Sequence, residues 1–214
     1  MLRYNQIFVV AATALLAAGC AQDGEIDATG GVTVTRNPCP AVAIPSYTGD
    51  VTLFDPPTSR DARAIDVVAD ITNLRTTCAD VGENVVATST FDVVARRTNT
   101  QGARTVTLSY FATVVQAGRL VIAKRVSSVT LEFKDGDPRA TVSGSATGAV
   151  NRAAATLPPE IRERITRRRR AGDTDAAIDP LADPEVRAAV AKASFELLVG
   201  FQLSAEQLQY NATR

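Results

Sequence analysis

The residues predict a mainly β chain: an antiparallel immunoglobulin-like β-sandwich with a helical insertion and a short C-terminal helix. Three observations predict it. Between residues 65 and 115 apolar side chains return at every second position, the period of a half-buried strand. The segments with that period are joined by "NTQGA" and "QAG", short glycine-containing links of the kind that close hairpins. From residue 151 onward the period becomes that of a helix, returns to strand in "SFELLVGFQL", and gives way to a helix-capping sequence.

The opening "MLRYNQ" holds one charge, Arg3, and precedes an apolar run from Ile7 to Ala18. A bilayer-spanning helix needs about 20 residues, whereas this length suits the apolar region of a signal peptide. The run closes on Ala17, Ala18 and Gly19, small residues that fit a peptidase groove, and a thiol follows at Cys20. "LLAAGC" resembles the lipobox of bacterial lipoproteins, with Leu16 one position further from the cysteine than in the usual pattern. That resemblance implies that residues 1–19 are a signal peptide removed on export and that Cys20 becomes the acylated N-terminus. Several acyl chains hold a protein on a membrane where one alone binds only marginally. Ala21 and Gln22 follow the cysteine where an aspartate would imply the inner membrane, so the resemblance implies the outer membrane, on its periplasmic side.

Residues 20–36 are small and polar, with paired glycines, and read as a flexible tether. The folded domain is expected over residues 37–214. In "NPCPAVAIP" prolines flank a short apolar run, which suits an edge strand, and Val51 to Phe54 make a second short piece. "AIDVVADITNL" then places Ile65, Val67, Ala69 and Ile71 on one face. Val85, Ala87, Phe91, Val93 and Ala95 share a face in the next segment, and Val106, Leu108, Tyr110, Ala112 and Val114 in the one after. "RLVIAKRV" and "SSVTLEF" follow Gly118, "KDGDP" makes a turn, and "RATVSGSATGAV" is a further strand. An exported chain matures in an oxidising space, where Cys39 and Cys78 read as a disulfide from the first strand to the end of "AIDVVADITNL" or the loop after it. The buried Trp that accompanies the bridge of antibody domains is missing. The Cys-Pro start, the second cysteine, the strand series and the tail "VGFQLSAEQLQYN" together resemble a family of Gram-negative envelope lipoproteins without an assigned activity; this implies a location and little more.

Residues 151–192 read as a helical insertion between two late strands. Pro158 and Pro159 suit a helix start, Ile161 and Ile165 lie one turn apart, and Asp183 precedes Pro184 as an N-cap before Val186 and Val190. Ser204 with Gln207 forms a capping box for the last helix. The insertion carries an arginine run, Arg162, Arg164, Arg167, Arg168, Arg169 and Arg170. Guanidinium groups grip phosphates of anionic lipids, or carboxylates on peptidoglycan or a partner protein. The plainer reading, a solvated helix end offset by Glu160, Glu163, Asp173 and Asp175, is favoured over it.

The 23 basic and 23 acidic residues balance, which argues against nucleic acid as the main partner. The chain contains no His, so neither a Ser-His-Asp nor a Cys-His arrangement can be built. Lys124, Lys134 and Lys192 stand in no Ser-x-x-Lys context, and Asp135 with Asp137 reads as a turn and not as a Ca²⁺ loop. No cofactor, metal or catalytic residue is expected. The first functional expectation is a lipid-anchored, non-catalytic envelope protein that binds a protein or cell-wall partner through a sheet edge or the insertion. The second is a carrier or sensor of a small apolar ligand or lipid.

Overall fold

The computed structural model describes residues 38–167 and 178–214. Its eight strands are β1 (Ala41–Ala43), β2 (Asp50–Phe54), β3 (Ile65–Val81), β4 (Asn84–Arg97), β5 (Arg104–Gln116), β6 (Leu120–Phe133), β7 (Arg139–Asn151) and β8 (Phe195–Phe201). Its helices are α1 (Pro159–Thr166), α2 (Pro184–Lys192) and α3 (Ala205–Thr213). One sheet has the order β1-β8-β5-β6 and the other β2-β3-β4-β7. All pairings are antiparallel except β1 with β8, which run parallel, a departure from the wholly antiparallel expectation.

The period-two faces meet in one core. Val85, Ala87, Phe91, Val93 and Ala95 of β4 are buried, as are Val106, Leu108, Tyr110, Ala112 and Val114 of β5. Burial of these side chains stabilises the two-sheet arrangement by about 25 cal/mol per Å² of apolar surface removed from water. The sheets approach closely because β7 turns small residues inward. A Cβ added at Gly148 would stand 2.8 Å from Val114 and 3.0 Å from Leu197 of the facing sheet, and one at Gly144 would meet the ring of Phe91 on the neighbouring β4. Phe91 packs edge-on against Tyr110 at 5.1 Å, and the Tyr110 hydroxyl donates to Ser145 O at 2.6 Å. The glycine-rich "SGSATG" is therefore the place where β5 and β8 of the facing sheet press nearest to β7.

Two strands are longer than their apolar pattern. β3 continues past Leu74 through Cys78 to Val81, where a loop was expected. A bulge at Asn73 and Leu74, with Asn73 at φ 52°, shifts the register against β4. "RLVIAKRV" and "SSVTLEF" form the single strand β6.

One end of the fold is held by Arg97, which is buried. Its Nε donates to Asp137 O (2.9 Å), Nη1 to Gly102 O (2.8 Å), and Nη2 to Thr100 O (2.9 Å) and Lys134 O (2.7 Å). The guanidinium lies 5.3 Å from the Phe133 ring centre. One side chain thus joins the β4–β5 and β6–β7 turns.

At that same end α3 closes over β2. Ser204 and Gln207 make the expected capping box. Asn211 is buried, its amide donating to Tyr47 O (2.9 Å) and Asp50 O (2.8 Å), while Tyr210 packs edge-on against Phe54 and Arg214 pairs with Asp50. Both hydrogens of the Asn211 amide are committed inside the fold. Asn211→Ala is expected to destabilise the protein by about 2 kcal/mol and to release α3 selectively. Amide exchange checks this; unchanged protection across Glu206 to Tyr210 would refute it.

The insertion lies between β7 and β8, as expected, and has a small core of its own in Leu157, Ile161 and Val186, with Ile165 and Val190 against it.

Candidate functional site

The chain comes into the fold at the end opposite Arg97, and several features gather there. Cys39 is disulfide-bonded to Cys78, with Cα atoms 6.1 Å apart. Ala41, Glu196, Val115 and Val121 are successive partners across the first sheet, one row about 14 Å wide. The β3–β4 turn, the β5–β6 turn, the end of β7 and both ends of the insertion lie at this same end, the last through Gln116 Nε2 donating to Lys192 O at 2.7 Å and Ala117 N to Ser194 O at 3.0 Å.

The β5–β6 hairpin turns here, its β5 arm paired with β8 up to Gln116 and its β6 arm open on one side. In the three-residue link Ala117 and Gly118 both have positive φ, 56° and 68°, and Arg119 N donates to Gln116 O at 3.2 Å. β6 is the outermost strand of its sheet, and its first nine residues, 120–128, are exposed. Leu120 is 57 % exposed, Val121 58 %, Ile122 49 % and Val126 56 %. Ile122 has no partner on β5, because Val121 pairs with Val115 and Ala123 with Val114. The stretch from Arg104 to Leu131 contains no Asp or Glu. Arg104 is held at the far end by Asp66, with contacts of 2.6 and 2.5 Å. Arg119, Lys124 and Arg125 supply the charge at the tip, with the Lys124 ammonium 5.3 Å from the Phe111 ring centre.

The arginine run is divided. Arg162 and Arg167 are exposed, at α1 and just beyond it, while Arg168, Arg169 and Arg170 lie outside the described residues. Arg164 donates to Asp183 and, at 3.2 Å, to Glu185. It therefore ties α1 to the cap of α2, and its charge is met inside the insertion. Asp183 caps α2 as expected, accepting from Glu185 N at 2.8 Å and Val186 N at 3.4 Å. The Glu185 backbone N–H foremost, together with the Arg164 guanidinium, holds the Asp183 carboxyl below the usual carboxylate range. A folded pKa below the unfolded one means that this contribution is complete above the unfolded value, about 3.9, and is lost as pH falls through the lowered folded value. Protection of the first turn of α2 is expected to fall in that acidic window and nowhere above it. Amide exchange against pH measures this, and Asp183→Asn should flatten the profile.

Two clefts border the insertion. One of 720 Å³ is lined by Gly82, Glu83, Arg152, Thr156 and Leu157. There Arg152 Nη2 donates to Gly82 O at 3.1 Å and pairs with Asp80 at 3.2 Å, while its buried Nε has no partner. The other, 500 Å³, lies between Arg164, Arg167, Ile178 and Val186. Neither lining brings a nucleophile to a base. Among the described residues no three His, Cys, Asp or Glu side chains converge to hold a metal ion, and no helix is long and apolar enough to cross a membrane. Cys20 lies outside the described residues. The exposed β6 segment was missed from sequence, although four consecutive apolar residues, Leu120 to Ala123, followed by Lys-Arg on one strand were its signal.

Comparison of the chain with protein-family models, with curated proteins and with solved structures returned no match.

Proposed function

We propose that this chain is a lipid-anchored, non-catalytic envelope protein: a β-sandwich hung from acylated Cys20 at the periplasmic side of the outer membrane, binding a protein or cell-wall partner. One observation carries the reading, the way the incoming segment is fastened. A domain tethered at its N-terminus takes load through its first strand, and β1 is a three-residue edge strand that ladder bonds alone hold weakly. The Cys39–Cys78 bond passes that load to β3, a strand of 17 residues in the other sheet. The immunoglobulin-like part of the expectation draws on the two-sheet arrangement and not on the bridge, which joins the segment ahead of β1 to an exposed residue of β3, while β2, β3 and β4 lie side by side in an order of their own.

Fractionation tests the anchor. After a high-salt wash that screens charge-held contacts, the wild-type chain is expected in the outer-membrane fraction and Cys20→Ser in the soluble periplasmic one; retention of an unacylated Cys20→Ser chain through that wash would refute the reading. Crosslinking in whole envelopes should recover one reproducible partner, lost when the insertion is altered if that is the binding element.

The ligand-carrier reading finds its support beside the insertion. Between the sheets, Phe91, Phe133, Phe201, Leu131 and Leu197 are fully buried and Gly148 packs against Val114, whereas the 720 Å³ cleft carries Leu157 and Pro158 on its wall. A lipid seen by native mass spectrometry on protein from its own host would favour this reading, and a clean unliganded mass would count against it.

A further inference from the structure

We infer that the tip of the β5–β6 hairpin is a membrane-contact site, in which Leu120, Val121 and Ile122 dip into the surface of an anionic phospholipid bilayer while Arg119, Lys124 and Arg125 pair with its phosphates. The orientation of the domain rests on the anchored reading; the chemistry of the tip does not.

Three observations converge on this occupant. The apolar residues are consecutive on the exposed β6 arm at the hairpin's end, so they point to both faces of the strand, and the bulge at Ile122 turns a further side chain outward. An apolar edge of this kind suits a fluid apolar phase better than one flat protein face. On the hairpin itself the charge is of one sign: no carboxylate occurs between Arg104 and Leu131, and Glu196, in the row of Val121, stands two strands away on β8. Basic side chains beside exposed apolar ones match an anionic lipid surface, where each contributes through the surface potential. Position completes the match. Val121 shares a row with Ala41, two residues after Cys39, so the tip lies at the end of the sheet where the chain comes in from Cys20.

The same features disfavour the other occupants of an open edge. A bulge and basic side chains are what blunt an edge strand against the addition of another. Two copies paired antiparallel through β6 about a two-fold at residues 124 and 125 would bring Lys124 and Arg125 of each against those of the other, and like charges opposed across a ladder are destabilising.

A photocrosslinker tests this on the purified full chain carrying Cys20→Ser, which cannot be acylated. Val121→p-benzoylphenylalanine is compared with Gln101→p-benzoylphenylalanine, an exposed position at the opposite end, on vesicles of phosphatidylglycerol mixed into phosphatidylcholine and on phosphatidylcholine alone. A lipid adduct is expected at 121 on the anionic vesicles, much reduced on the neutral ones, absent at 101, and lost when Lys124→Glu and Arg125→Glu are added. Equal labelling at 121 and 101, labelling indifferent to those charges, or adducts at 121 only to a second copy would each overturn the inference. The anchored reading is judged separately, by fractionation of the Cys20→Ser chain after a high-salt wash that screens charge-held contacts, so one can fail while the other stands.

Discussion

Arg97→Met is expected to lower the stability of this protein by about 3 kcal/mol, with a fall in melting temperature of roughly 10 °C for a domain of this size. Met comes close to the length of the side chain and removes the cost of holding a charge out of water, so the net loss reports the four hydrogen bonds and the Phe133 contact less that cost. Those bonds satisfy the carbonyls of Thr100, Gly102, Lys134 and Asp137, which belong to two different turns. Arg97→Lys restores the charge but concentrates its donors on one nitrogen, which cannot reach both turns as the guanidinium fork does. It should recover less than half of the loss. Denaturant unfolding measures the total, and amide exchange at Gly102 and Gly136 shows whether the turns part. A loss below about 1 kcal/mol for Arg97→Met would mean that water replaces the guanidinium at little cost.

The second large effect is at the disulfide. Its two cysteines are 39 residues apart in sequence, and opening a loop of that length should cost about 4 kcal/mol in the chain-entropy account. Cys39→Ala with Cys78→Ala avoids stray thiols. The double variant should melt about 10 °C lower, with β1 losing exchange protection before β4 does. Because β1 is short and at an edge, the global loss and the local release can be separated. If β1 stays protected while the melting temperature falls, the bond acts on the unfolded chain alone; if neither changes, the load-transfer role proposed for it fails.

Much of the fold was legible wherever burial sets the period. Val85 to Ala95 and Val106 to Val114 were assigned to buried faces by alternation alone, and their positions in the core follow that parity. The second half of β3 was illegible for a physical reason. Arg75, Thr76 and Thr77 bury little, and what keeps them in a strand is backbone pairing to Thr90, Ser89 and Thr88. The parallel pairing of β1 with β8 likewise joins segments far apart in sequence through three residues, and no local pattern records it. Arg97 left a trace that was passed over. It continues the inward parity of Val93 and Ala95, and a charged residue on a core face asks for partners. In the insertion the helices and the Asp183 cap were readable, but the carboxylates that answer Arg164 are Asp183 and Glu185 on the following helix, not the nearer Glu160 and Glu163.

β8 occupies the middle of its sheet, between β1 and β5, although it is the last strand of the chain. Ribosomes deliver β1 and β5 long before the segment that joins them, and a nascent chain therefore carries two unfilled seats until residues 195–201 arrive. Closure of that sheet waits for this segment, and until it arrives β1 has no partner strand and β5 has β6 alone.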